Sequence, residues 1–302
     1  AVAMSIAATA QMPVAWSQDD EMDLEEVIVT ARKREENLQE VPLSVTAFNA
    51  STLQDYRMFS PEDIAAFTPG FSFVNSFGRD SDRPVVRGMS NILGSPNASF
   101  FIDGVFVPGT IASTELQMLE RVEVIKGPQA ALYGRATFSG AINYVTRRPT
   151  DELEGQVTVT VAEHDTTNTN AYISGPIVKD SLYFYLGAGF NEYGGEYNNT
   201  IGGDEVGGEE TTTFTGKLLW TPSDSFEASL RVTAQKDDDD HIAIWLQGAE
   251  YNNCLTPDAS RPSARGYYCG TVKTNDEVTL RTDFLPNPGI ERDVLRTSLN
   301  MD

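Results

Sequence analysis

Residues able to carry covalent or metal chemistry are few and far apart in this sequence. The cysteines are Cys254 and Cys269, and the histidines are His164 and His241. Two cysteines close together in a polar, Gly/Pro/Asn-rich stretch suit a disulfide formed in an oxidising compartment; the alternative is two free thiols. Without a His/Cys cluster at ligand spacing, no metal site of the zinc type is expected. The acidic run Asp237–Asp240 offers carboxylates to calcium, but its spacing matches no calcium loop, and it reads as a solvated loop. No Ser/His/Asp set and no nucleotide-binding glycine loop stands out. The chain is therefore expected to be neither an enzyme nor the holder of a resident cofactor.

A different chemistry, pairing through the main chain, is offered by Val27-Ile28-Val29-Thr30. These strand-prone residues lie between an acidic run (Asp19, Asp20, Glu21, Asp23, Glu25, Glu26) and a charged run (Arg32, Lys33, Arg34, Glu35, Glu36). No hairpin partner is evident nearby, and Pro42 lies well outside. An unpaired, tethered peptide of this kind can join an exposed sheet edge through main-chain hydrogen bonds. The alternative is an edge strand folded onto the domain that follows.

The elements around these residues fall into two textures. The chain has 302 residues, room for about two domains. Its net charge of −22 argues against nucleic acid as a partner and against a polybasic membrane anchor. Residues 1–18 resemble the end of a secretory signal with an Ala8-Thr9-Ala10 cleavage region, and residues 19–39 read as a flexible extension. Nothing reaches the roughly 18 apolar residues of a spanning helix. Residues 40–150 read as a compact α+β domain. "VPLSVTAFNA" is a strand, and "NASTLQDY" starts a helix capped by Asn49 or Ser51. "SPEDIAAFTPG" is a helix with Ser60 as N-cap, Pro61 at its first position and acidic residues in its first turn. "RPVVRGM" is a strand, and "SFFIDGVFV" is a hairpin turning at Asp103-Gly104. "LERVEVIKG" puts Val122 and Val124 on one face and Glu123 and Ile125 on the other. "GPQAALYG" is a helical turn, and "GAINYVTRRP" a strand.

Residues 151–302 carry long alternating segments. Val157, Val159 and Val161 share one face. So do Leu182, Phe184, Leu186, Ala188 and Phe190, and so do Phe226, Ala228, Leu230, Val232 and Ala234. The connections "SGPIVKD" and "TPSDS" are tight, whereas "NEYGGEYNNTIGGDEVGGEE" and the span from Lys236 to about Pro288 are long. Segregated loop lengths suit an outer-membrane β-barrel, with Tyr172, Tyr193 and Trp220 as an aromatic girdle; a soluble β-sandwich also alternates. About six strands are present, the last being "ERDVLRTSLNM". Bacterial barrels start at about eight strands, so the sequence is expected to be a fragment at both ends.

Five ordered motifs, "EEVIVTARK", "VPLSVTAF", "VVRGM", "FFIDGV" and "LERVEVIKGPQAALYGRATFSGAINYVTRRP", resemble the TonB-dependent outer-membrane receptors. The resemblance covers residues 25–150 and the first barrel strands. It implies an α+β plug domain followed by a transmembrane antiparallel β-barrel of about 22 strands, with the plug and N-terminus facing the periplasm. It implies energy-coupled import of a scarce nutrient, most often a ferric siderophore, with Fe3+ arriving as cargo. Carbohydrate, vitamin B12 or another organic cargo is the alternative, and a non-transporting surface receptor or passive porin is the reading of a different class. With only two histidines on offer, haem is a poor fit. Glu26, Val27, Ile28, Val29, Thr30 and Ala31 would form the TonB box, paired by strand addition with the energy-transducing TonB protein. Outer-membrane lipid would be the other partner. Arg87 and Arg135 would face barrel carboxylates. Ligand would touch outward plug loops, with Phe77, Arg79, Asn91, Asn97, Pro108 and Thr110 as candidates.

Overall fold

The computed structural model describes residues 27–34, 36–75, 78–79, 82–90, 96–114, 116–134, 136–201, 205–223, 225–242, 280 and 289–301. Cys254 and Cys269 lie outside them. In chain order the first part holds β1 (Ile28–Val29), β2 (Glu36–Asn37), β3 (Ser44–Asn49), α1 (Ala50–Asp55), α2 (Pro61–Ala66), β4 (Phe71–Asn75), β5 (Asp82–Val86), β6 (Ala98–Ile102) and β7 (Val105–Phe106). Then come β8 (Leu119–Lys126), α3 (Ala130–Tyr133) and β9 (Gly140–Thr146). The second part holds β10 (Glu154–Ala162), β11 (Thr166–Val178), β12 (Leu182–Tyr193), β13 (Tyr197–Asn198), β14 (Glu205–Val206), β15 (Glu209–Ser223), β16 (Phe226–Asp239) and β17 (Ile290–Met301).

The α+β unit is built on a five-stranded sheet, β3-β8-β9-β6-β7, with β6 parallel to β9 and the other pairs antiparallel. Local chemistry fixes its pieces. Asn49 caps α1 by accepting from the Thr52 amide. Ser60 and Asp63 form a reciprocal capping box on α2, with Pro61 at the first turn. Asp103 and Gly104 both have positive φ (48° and 72°), as a type I′ turn requires between β6 and β7. Every residue of β6 is buried, because both faces of the sheet are covered. Val122 and Val124 enter the main core with Leu53, Ile64, Phe100 and Tyr144. On the opposite face Ile125 joins Phe101, Tyr133 and Ala141. At Gly140 an added Cβ would stand 2.5 Å from the Ile125 carbonyl oxygen, so β8 and β9 pair closely only around glycine. The strand β4, which pairs with β5, has no counterpart in the sequence reading.

The second unit is a six-stranded antiparallel sheet in the order β10-β11-β12-β15-β16-β17. Its apolar face lies outward as the alternation predicts: Val159 is 61% exposed and Phe214 60%. Its other face is polar and buried, carrying Asn168, Asn170, Ser174, Thr211, Thr213, Arg231, Thr233, Gln235, Asp237 and Asp239. The α+β unit lies against that polar face. The tight connection at residues 179–181 lies at one end. The opposite end holds the short 163–165 turn and the strands β13 and β14.

Two readings need correction. Only Trp220 of the three proposed girdle aromatics faces outward, packing on Phe226 with ring centroids 5.7 Å apart. Tyr172 points inward and stacks on Tyr185, and Tyr193, in register with Tyr183 and Tyr185, also takes the inner face. A side chain's parity along its strand, not its chemical type, decides which face it takes. The Asp237–Asp240 run is not a solvated loop, since Asp237, Asp238 and Asp239 extend β16. Alternation turns Asp237 and Asp239 inward, where arginines meet them.

A bilayer against the outward face makes that face intolerant of charge. Val232→Arg, at the middle of β16, is expected to cost about 2–4 kcal/mol. The readout is a lower urea midpoint for protein refolded into vesicles. An unchanged midpoint would mean that this face meets water.

Candidate functional site

The α+β unit and the sheet meet through polar side chains. Arg79 is 8% exposed. Its Nε donates to Asp239 (3.1 Å), its Nη1 to the Thr211 hydroxyl (2.8 Å) and its Nη2 to the Glu210 carbonyl (3.1 Å), with Asp239 also reached by Nη2. Burial opposes its charge, but the bonds to Asp239 and the charges of Glu209, Asp239 and Asp237 hold its pKa above the ordinary value. A second knot forms on Asp237, which accepts from Thr211 (2.8 Å), Ser113 (3.1 Å) and the Arg292 Nε (2.9 Å). Thr110 braces the Arg79 segment within the α+β unit and reaches Arg296 on the wall. Its hydroxyl stands 2.5 Å from the Arg79 carbonyl and 2.6 Å from the Asp82 carboxylate, and its carbonyl accepts from Arg296 (3.1 Å). Burial pushes the Asp82 carboxyl up to about 6, although the Thr110 hydroxyl and the Ile111 amide favour its anion.

The other arrangement holds the N-terminal strand. Ile28 pairs with Asn37 and Val29 with Glu36, so the expected unpaired peptide is one half of a two-stranded ribbon. The partner was overlooked because Glu36 and Asn37 are poor strand formers. The ribbon docks on the α+β unit: Val29 and Ala31 are fully buried among Val41, Phe101, Ile125, Tyr133 and Ala141. The Thr30 amide donates to Glu123 at 2.7 Å and its hydroxyl lies 3.0 Å from the same oxygen. Glu123 is itself fully buried and also accepts from Arg121 (2.8 Å) and Asn143 (3.4 Å). Lys33 donates to the Gly104 carbonyl (2.6 Å) and lies 4.6 Å from the Tyr133 ring centroid, where burial lowers its pKa. This cluster was missed by sequence reasoning. Its signal was present: Glu123 is a carboxylate inside the apolar run Val122–Ile125.

The remaining candidates separate. Arg79 and Thr110, expected on ligand-facing loops, are buried at the seam instead, because the sheet's inward carboxylates claim the guanidinium. Pro108 is exposed, and the Asn97 carbonyl accepts from the Ser139 amide. Arg87 is exposed with φ of 53°, its guanidinium against Gly127. Glu26, Phe77, Asn91 and Arg135 lie outside the described residues. The described residues hold no cluster of three or more His, Cys, Asp or Glu able to bind a metal ion.

Comparison with known proteins agrees with this architecture. Residues 37–141 match the TonB-dependent receptor plug domain. The chain is 27% identical over 234 residues to the pesticin receptor of Yersinia pestis, covering 74% of this chain and 35% of that one. It is 31% identical over 193 residues to the vitamin B12 transporter of Vibrio vulnificus, covering 60% of this chain and 30% of that one. The crystal structure of the ferric yersiniabactin uptake receptor of Yersinia pestis superposes with a TM-score of 0.59 at 25% identity, covering 65% of this chain and 32% of that one.

Residues 37–141 are thus a plug domain of the TonB-dependent receptor type, and the chain is similar to those receptors. It spans about a third of the length of the curated relatives it matches. The α+β unit is the plug, and the six-stranded sheet is part of the barrel wall. A pyoverdine-bound receptor of Pseudomonas aeruginosa shares the fold, with a TM-score of 0.61 at 18% identity over 75% of this chain and 30% of that one.

Two outcomes follow from the geometry. The raised pKa of Asp82 means that the folded plug holds this proton more tightly than the unfolded chain does. Ionisation therefore costs stability as pH rises from 3.8 through about 6, and the cost is constant above that. Asp82→Asn should remove this dependence, worth up to about 3 kcal/mol, in denaturant titrations at pH 4 and pH 7; parallel profiles for the two proteins would refute the assignment. Glu123→Ala should free the N-terminal ribbon, because hydrogen bonds to a charged group contribute about 1.5–3 kcal/mol each. A spin label at Ile28 should then become mobile, and a label that stays immobile would show that apolar contacts alone hold it.

Proposed function

We propose that the chain is part of an outer-membrane receptor that imports a bulky nutrient actively, and that Glu26–Ala31 is the strand engaged by a TonB-type energy-transducing protein. The carrying observation is the ribbon itself. Among the described residues only two pairs join β1 to β2, and β1 lies in a two-stranded sheet there, with its second main-chain edge not spent on a ladder. A strand held by so short a ladder can be exchanged for a longer one with an incoming partner. The plug fits the same reading. Its seam with the wall is built from hydrogen bonds and ion pairs, whose partners water can replace when the plug is pulled. No catalytic role is needed.

The cargo we infer is a ferric siderophore, supported by the relatives' names: a ferric yersiniabactin uptake receptor, a ferrichrome transporter and ferripyoverdine receptors. Vitamin B12 is the second cargo, favoured by the Vibrio vulnificus transporter. Carbohydrate is a third possibility within the same mechanism. Val27→Pro removes an amide from the strand that must be added, and is expected to abolish energised uptake of radiolabelled ferric siderophore while leaving binding at the cell surface intact. Uptake at the wild-type rate would refute coupling through this strand and return weight to a passive porin. Induction of the protein in iron-starved cells, measured in isolated outer membranes, separates an iron cargo from an organic one.

A further inference from the structure

Between plug and wall lies a small, partly open cavity of about 50 Å3. Its lining includes Arg147 from the plug and Tyr185, Thr213, Lys217, Arg231 and Arg296 from the wall. Five buried polar atoms with no hydrogen-bond partner belong to residues that line it: the Nε of Arg147, the Nε of Arg231 and the hydroxyls of Thr114, Thr213 and Tyr185. Tyr185 is 3% exposed, Thr213 5% and Arg231 8%. Unpaired buried donors are costly, and five around one cavity call for a common acceptor.

Charge says what kind of acceptor. Arg147, Lys217, Arg231 and Arg296 all line the cavity, and no carboxylate does. The nearby Asp103 accepts from the Thr146 amide and hydroxyl at 2.8 Å each and forms an ion pair with Arg231, 3.8 Å from its Nε, so its single charge offsets only one of the four cations. Lys217 donates to the Thr146 hydroxyl (2.9 Å) and the Arg147 carbonyl (3.3 Å), both neutral. Arg296 donates to the Gln235 side chain and the Thr110 carbonyl, also neutral. Arg147 lies over the Tyr172 ring, 4.8 Å from its centroid. Water can satisfy donors but supplies no negative charge, and like charges drawn together away from bulk water repel strongly.

We propose that this cavity binds one small inorganic anion of chloride size, held by the Arg231 and Arg147 guanidiniums with the Tyr185 and Thr213 hydroxyls. A volume of ~50 Å3 admits such an ion with a water or two and excludes any nutrient the receptor would carry. The ion joins a plug cation to wall cations, so the anion closes a stretch of seam that would otherwise push apart. The proposal is independent of the cargo and of the coupling strand.

The test uses the full-length receptor purified in detergent, with bromide as the probe. Crystals grown or soaked in bromide should show an anomalous peak within hydrogen-bond reach of Arg231 and Tyr185. The melting temperature in bromide should exceed that in isethionate, at equal ionic strength, by at least ~3 °C. That difference should vanish in Tyr185→Phe, which keeps the ring, and in Arg231→Gln. A cavity without anomalous signal, or a halide effect that both variants retain, would overturn the proposal. The crystallographic arm needs no variant, so a variant that fails to fold leaves the proposal testable.

Discussion

A guanidinium sealed between two protein surfaces governs this structure. Arg79 leaves water to sit against the wall, and a buried charge is tolerated only when its partners are close and its remaining hydrogens satisfied. Asp239, Thr211 and the Glu210 carbonyl together meet that demand. They can do so only because β15 and β16 turn their polar residues inward. The outward apolar face and the inward polar face are thus one design with two solvents. Lipid requires every second residue to be apolar, and the plug requires the intervening residues to bond with it. An apolar seam would bury more surface favourably, but it would also weld the plug to the wall. A polar seam holds the plug as firmly as its geometry allows, yet leaves each bond replaceable by water.

The same balance recurs at the N-terminal ribbon. Val29 and Ala31 contribute burial, on the order of 1.5–3 kcal/mol for a side chain the size of valine. Thr30 contributes hydrogen bonds to a carboxylate that would otherwise be stranded in an apolar sheet. Glu123 therefore has two duties. It anchors the ribbon, and it depends partly on the ribbon to satisfy its oxygens. Arg121 and Asn143 share that load, so the ribbon's departure leaves Glu123 with partners.

Most of the plug's elements were legible because their causes are local. The capping box at Ser60 and Asp63, the positive-φ turn at Asp103-Gly104 and the split faces of Val122–Ile125 lie within a few residues of one another. The wall strands were legible because a period of two persists over a dozen residues. What the sequence hid were contacts that residue type alone does not announce. Asp237 and Asp239 read as loop because four aspartates have no strand propensity; arginines 79 and 292 make them strand. Tyr172 read as girdle because aromatic type was weighed above parity. Val27–Thr30 read as free because its partner, Glu36-Asn37, is itself a weak strand former. The contacts of Asp237 and Asp239 cross from one element to another, and no window of sequence contains them; the ribbon and Tyr172 were hidden by propensity and by residue type instead.

The inward face of β16 carries a gradient that sets how the plug sits. From Arg231 the inward residues run through Thr233 and Gln235 to Asp237 and Asp239, cation at one end and anions at the other. The plug answers in kind. Asp103 stands near Arg231, Ser113 meets Asp237 and Arg79 meets Asp239. Inward residues recur every second position, about 6.6–6.8 Å along a strand. A plug displaced by one such step toward the cationic end would bring Arg79 level with Asp237, already held by Arg292, and carry Asp103 past Arg231. A step the other way would leave Asp239 without its guanidinium. Every lock is lost together in either direction, since all are set by the same strand. A seam with that property resists sliding and admits release only by breaking several bonds within the same movement, which requires work delivered from outside.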